Sequence, residues 1–210
     1  MTNKSKLVFR ATSIIGILAA LSGCSYNQST EEVRSYLNYQ SLAEQNKQGD
    51  YKALIHKEAK LSGDAQIIGQ FCSAHSYPYD IETFFDEAVS TVLDKAYQNV
   101  DLETVENSIE NVGDNNNQVA INVDPASVRI MCYAAKEYSW ECIATTKLSA
   151  TVVKNVNEKF DIDIETREMR SAGGGCGGGA DAVSVSIGKT VNSFSTQLYD
   201  ILKNGNSVGD

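Results

Sequence analysis

Only two histidines, His56 and His75, occur among the 210 residues. A serine or cysteine hydrolase needs a base beside its nucleophile. His56 falls in a stretch that reads as a solvated helix face, so no such pair stands out. Bases are scarce as well: 18 Lys and Arg stand against 27 Asp and Glu, a net charge of −9. Nucleic acid and anionic surfaces are therefore poor partners. Past residue 23 no apolar run approaches the ~20 residues of a spanning helix. Asp114-Asn115-Asn116-Asn117 lacks the spaced ligands and glutamate of a calcium loop and reads as a turn. No catalytic set, cofactor or metal is expected from these absences.

What is present begins at the N-terminus. Lys4, Lys6 and Arg10 precede a short apolar run from Ala11 to Leu21, and Leu21-Ser22-Gly23-Cys24 follows. A basic flank, a short apolar centre and small residues at its end mark residues 1–23 as a signal peptide. The tetrad Leu-Ser-Gly-Cys resembles the lipobox of bacterial lipoproteins. That resemblance implies cleavage after Gly23, acylation of the Cys24 sulfur, and a mature chain attached to a membrane through its lipid. Ser25 is the residue type that permits sorting to the outer membrane in such proteins, so the periplasmic face of a Gram-negative outer membrane is expected. That compartment is oxidising and holds no ATP pool of its own.

The remainder divides into a tether and helical segment (24–63), an α+β domain (64–203) and a flexible tail (204–210). Ser29 and Glu32 stand at capping-box spacing before Val33, Tyr36 and Leu37, predicting a helix to about Gln45. Tyr51, Leu54, Ile55, Ala59 and Leu61 continue an apolar stripe as a second, membrane-proximal helix. Ala65 to Ser76 reads as a strand, Asp80 caps an amphipathic helix over Ile81 to Ala96, and Asp101 to Val112 reads as a shorter helix. Alternation at Val119 to Val123, Val128 to Ala134, Trp140 to Val152 and Phe160 to Ile164 predicts four strands with short connections. Ala180 through Leu202 then carries a long helical stripe. The expected fold is a curved antiparallel sheet covered on one face by two amphipathic helices, preceded by the membrane-proximal helical segment.

Four cysteines besides Cys24 make an even set for an oxidising compartment, with three possible pairings. A hairpin turning at Lys136-Glu137-Tyr138 sets Cys132 opposite Cys142 with both apolar faces on one side. Cys72 and Cys176 pair by elimination. The rival is zinc, since Cys72-Ser73-Ala74-His75 has ligand spacing and a third cysteine would extend it, but thiols are oxidised outside the cytosol. Asp161, Asp163 and Glu165 line one strand face. Such a row suits a glycosidase or calcium less well than the ordinary charged guard of an exposed strand.

Gly173, Gly175 and Gly178 fit G-x-G-x-x-G, and Gly188-Lys189-Thr190 has the end of a phosphate loop. The first match is nearly automatic in a six-glycine tract, and the second would need glycine where Val183 stands. No nucleotide is expected. Tyr133, Tyr138 and Trp140 around the hairpin tip are the candidate partner-binding aromatics.

The order of lipobox, strand, amphipathic helix, antiparallel meander and closing helix resembles small outer-membrane lipoproteins of envelope transport and assembly. These include the lipopolysaccharide-transport plug lipoprotein, the YajG-type lipoproteins and the auxiliary lipoproteins of lipid ABC transporters. The resemblance implies a non-enzymatic protein that docks on partner proteins of an envelope assembly, with lipid or small-molecule binding as the alternative.

Overall fold

The computed structural model describes residues 24–42, 47–110, 112, 117–136, 139–155, 158–173 and 175–204. Residues 1–23, read above as a signal peptide, together with Tyr138 and residues 205–210, lie outside these. In chain order the elements are α1 (Thr30–Ser35), β1 (Gln48–Lys57), β2 (Ser62–Asp64), β3 (Gln66–Ile67), β4 (Pro78–Asp80), α2 (Glu82–Ala96), β5 (Tyr97–Val105), β6 (Gln118–Val123), β7 (Ser127–Lys136), β8 (Ser139–Asn155), β9 (Glu158–Gly173) and α3 (Gly178–Asn204). The fold is mixed α+β, with most of its core on a seven-stranded sheet. β2 and β4 form a separate antiparallel pair.

β8 is the spine of the sheet. One edge pairs along its length with β9, while the other edge is divided, β7 taking Ser139 to Lys147 and β6 taking Ala150 to Val153. β1 adds to β6 and β5 adds to β1, both in parallel, and β3 lies parallel to β7. The sheet is therefore mixed, not the antiparallel sheet expected from sequence. The chain between β1 and β5 includes α2, a connection long enough to bring a strand back in parallel.

Four further expectations are corrected. Tyr51 to Leu61 is not a helix, because its residues through Lys57 form β1. Both faces of β1 are occupied, which hides its period of two: Ala53 and Ile55 turn to the main core, while Leu54 meets Val112, Ala120 and Val153 on the other side. Asp101 to Val112 is not a helix either, since its first half belongs to β5, an acidic strand on the sheet edge. The strand expected over Ala65 to Ser76 shrinks to Gln66–Ile67, and a turn follows. The first helix stops at Ser35 and gives way to a 3₁₀ turn at Tyr39–Ser41.

The two long helices behave as their stripes require. Phe84, Phe85, Ala88, Val92 and Ala96 of α2 are buried, as are Val183, Ile187, Val191, Phe194, Leu198 and Leu202 of α3. Asp80 starts α2 by accepting the Thr83 backbone N–H through Oδ1 at 3.1 Å. The Phe85 and Phe194 rings meet at 5.2 Å where the helices pack together. α3 also packs on β8 and β9. Each such aromatic removed from water contributes roughly 1.5–3 kcal/mol. Ser186 is buried in this layer and donates to Thr146 Oγ1 at 2.7 Å, so these two hydroxyls are paired inside it.

Candidate functional site

Two disulfides meet at one end of the sheet. Cys132 and Cys142 are directly opposed across β7 and β8 and are joined, with Cα atoms 4.1 Å apart. That separation belongs to the narrow kind of antiparallel pair. Cys72 and Cys176 are joined at a Cα separation of 5.7 Å across 104 residues of sequence. The sulfurs of Cys72, Cys132 and Cys142 all lie within 4.8 Å of one another, so the bridges touch. A sulfur in a disulfide has no thiolate to offer a metal, and His75 turns to Cys24 instead of joining them. Cys72 itself has φ 60, a left-handed backbone conformation that side chains other than glycine's rarely adopt.

The N-terminal segment, read from sequence as a polar tether, is bound along Ser76 to Asp80. Ser76 N–H donates to the Cys24 carbonyl at 3.3 Å, and Tyr26 N–H donates to the Ser76 carbonyl at 2.9 Å. His75 Nδ1 lies 3.3 Å from the same Cys24 oxygen. The Tyr26 ring stacks on Tyr77 at 5.8 Å and meets His75 at 5.2 Å. Gln28 closes the run by a double hydrogen bond to the Asp80 backbone, 3.1 Å each way. At α1 Ser29 Oγ accepts the Glu32 N–H at 3.2 Å, while the Ser29 N–H donates to Ser184 Oγ at 2.8 Å. Half of the capping box is thus made within α1 and the other half by α3.

One glycine of the tract, Gly179, serves packing. Tyr77 donates from its hydroxyl to the Cys176 carbonyl at 2.9 Å, and a methyl group at Gly179 would come within 2.5 Å of the Tyr77 ring and 2.6 Å of Ile130. The start of α3 can approach that closely only without a side chain. Burial pushes the Tyr77 phenol up to about 12, so it remains a donor at any physiological pH. Gly188 plays the same part further along, where a methyl group would fall 2.7 Å from the Val33 carbonyl oxygen of α1. Lys189 lies within α3, pairs with Glu168 at 2.7 Å and stands 5.6 Å over the Tyr36 ring. Gly188-Lys189 is therefore a helix–helix and helix–sheet contact.

The candidate aromatic cluster is divided by the pleat. Trp140 is opposite Ala134, on the face of Cys142, and packs edge-on against Phe71 at 5.0 Å. Tyr133 is opposite Glu141, on the other face, and donates to Glu141 Oε2 at 2.7 Å, a bond that holds its phenol above the usual range. Around Tyr133 the outward face carries a ladder missed in the sequence: Met131, Ile143 and Met169 are paired side by side across β7, β8 and β9. Arg129, Thr145 and Arg167 form the next row. A depression of about 200 Å³ is lined by Ile68, Arg129, Met131, Ile143 and Arg167, among others. The available signal was apolar residues at positions that alternation assigns to solvent. Farther along the same face, Asp161 accepts from Thr151 and Asp163 from Ser149, each at 2.8 Å, so these carboxylates are tied to cross-strand neighbours.

No protein-family model matches the chain, and no curated protein matches it in sequence. Solved structures share parts of its outline at low identity. A protein from Xanthomonas campestris is 12% identical with a TM-score of 0.46, over 83% of this chain and 91% of that one. Rare lipoprotein B from Shewanella oneidensis is 12% identical with a TM-score of 0.35, over 72% and 89%. A homologue of the neuraminyllactose-binding hemagglutinin from Helicobacter pylori is 12% identical with a TM-score of 0.40, over 80% and 92%.

Proposed function

We propose that this chain is a non-enzymatic lipoprotein of the Gram-negative envelope, held by lipid on Cys24 at the periplasmic face of the outer membrane, that docks on a partner protein of an envelope assembly. The anchor rests on Leu21-Ser22-Gly23-Cys24, with residues 1–23 removed as signal peptide. The observation that carries docking is the outward ladder of Met131, Ile143 and Met169. Met131 is 38% and Met169 53% exposed on a sheet face where polar side chains are the rule. Arg129 and Arg167 beside them suit an acidic partner strand or loop, and arginine and methionine are both enriched in interface centres. Enclosure of a small ligand between helices and sheet is disfavoured by the filling of that layer with Phe85, Phe194, Leu148 and Ile162.

Site-specific photo-crosslinking in intact cells tests docking. A crosslinking residue at Met169 or Ile143 is expected to give one discrete adduct, and one at Thr196, exposed on α3, none. Equal adducts from both faces, or none from the ladder, would refute it. Cys24→Ala is expected to abolish lipid labelling and leave a precursor or a released form. A variant still processed and membrane-bound would refute the anchor.

A further inference from the structure

We infer that the disulfide end of the domain is seated on the bilayer surface, with the turn after β3 and the Phe71–Trp140 pair at headgroup level. This rests on the lipid-anchor reading of Cys24, and extends it from an attachment point to an oriented surface.

The occupant is fixed by where Cys24 is held. Its carbonyl is bound by Ser76 N–H and lies beside His75 Nδ1, both at 3.3 Å, so a lipid on its sulfur leaves the protein at the turn running from Ile68 to Ser76. Within that turn Ile68 is 42% and Phe71 48% exposed, two of the five large apolar side chains left open in the described residues. Phe71 rests on half-buried Trp140, an aromatic pair of the kind that settles at membrane interfaces, apolar in body with an indole N–H for the wet side. The turn that holds Cys24 at its Ser76 end carries Phe71 near its middle, so anchor and ring belong to one short loop.

Charge points the same way. The chain carries a net charge of −9, and an acidic domain is repelled by anionic headgroups. Yet Cys24 to Thr30, Ala65 to Tyr79 and Ser171 to Ala180 contain no Asp, Glu, Lys or Arg. The fold gathers these three distant stretches at one end. The Cys24–Ser76 hydrogen bond, the Cys72–Cys176 bridge and the Tyr77–Cys176 hydrogen bond join them. The three stretches around the anchor thus contribute no acid of their own to repel anionic lipid. The nearest charges stand on the paired strands at the margin of these stretches, where Arg129 is opposite Gln66, Glu141 opposite Ser171 and Arg170 opposite Cys142.

Trp140 is the only tryptophan of the chain, so its emission reports this end alone. The processed full-length protein is reconstituted in vesicles of phosphatidylethanolamine and phosphatidylglycerol, with or without phosphatidylcholine brominated near the headgroup end of its acyl chains. The mass of its N-terminal peptide is measured on the same sample. Expected are a lipid on Cys24, a blue-shifted Trp140 emission, loss of emission in brominated vesicles, and a smaller loss in Phe71→Ser. Phe71 is exposed enough to be replaced with both disulfides retained, which peptide mapping verifies. A lipid-bearing Cys24 with equal emission in plain and brominated vesicles overturns the seating and leaves the anchor standing. A Cys24 without lipid overturns the anchor and the seating with it.

Discussion

Cutting the Cys72–Cys176 bridge should cost more stability than cutting Cys132–Cys142, by an amount that follows from loop length and one backbone angle. The bridges span 104 and 10 residues. The chain-entropy model gives about 4.7 kcal/mol for the long loop and about 2.7 for the short one at 25 °C, a difference of about 2 kcal/mol. Against this stands the left-handed φ of 60 at Cys72, whose relaxation in an opened chain returns about 1 kcal/mol. The net difference is about 1 kcal/mol, or about 2–4 °C in melting temperature for a chain of this size. The comparison uses the double variants Cys72→Ala/Cys176→Ala and Cys132→Ala/Cys142→Ala, because a lone thiol left at either site would sit against the other bridge. Non-reducing thermal unfolding followed by far-ultraviolet circular dichroism reads both. If the hairpin variant melts at or below the long-range variant, with both folded at low temperature, the loop argument is wrong.

Four other outcomes are expected. Cys176→Ala alone frees the Cys72 thiol within 4.8 Å of the other two sulfurs, and non-reducing peptide mapping should find Cys72 joined to Cys132 or Cys142; an unaltered Cys132–Cys142 bond would count against it. Gly188→Ala should destabilise by about 1–2 kcal/mol in denaturant titration, since overpacking against α1 outweighs the helix propensity of alanine. Tyr97→Phe should be neutral or stabilise by up to about 1 kcal/mol, because the Tyr97 hydroxyl is buried with no hydrogen-bond partner among the described residues; a marked loss would reveal a partner. The Asp163 carboxyl is held below its ordinary range by hydrogen bonds from Ser149 and then Lys147. The unfolded chain therefore binds its proton first, so this stabilisation is present above about pH 4 and disappears as pH falls through the depressed value. Asp163→Asn should flatten that acid limb of the denaturation midpoint, and an unchanged limb would refute the linkage.

What could be read from sequence was whatever one face decides. The stripes of α2 and α3 face one core layer, and the β7–β8 hairpin has one dry side, so its register, Ile130 opposite Ala144, followed from alternation. β1 was misread because its outward Leu54 is partly covered too, by the segment carrying Ile109 and Val112, and an apolar residue among the polar ones of the outer face breaks the period of two. β5 failed for the opposite reason. Leu102 is 45% exposed and most of its neighbours are polar, so only the parallel pairing with β1 makes it a strand. The division of Tyr133 from Trp140 was implicit in the register itself. The Met131–Ile143–Met169 ladder needed a third strand, and no single segment displays it.

The nesting of the two disulfides also sets a problem for biosynthesis. A chain that enters an oxidising compartment N-terminus first presents Cys72, then Cys132, Cys142 and finally Cys176, and the native partner of the first is the last. An oxidase acting in order of arrival would join Cys72 to Cys132, leaving β7 tied to the turn after β3 before β8 is there to pair with it. Such a bond must be reshuffled, a step of seconds to hours without an isomerase. A pulse-chase on non-reducing gels would show it as a transient species, and maturation of an exported lipoprotein of the kind proposed above would then be paced by disulfide isomerisation and not by the rate of export.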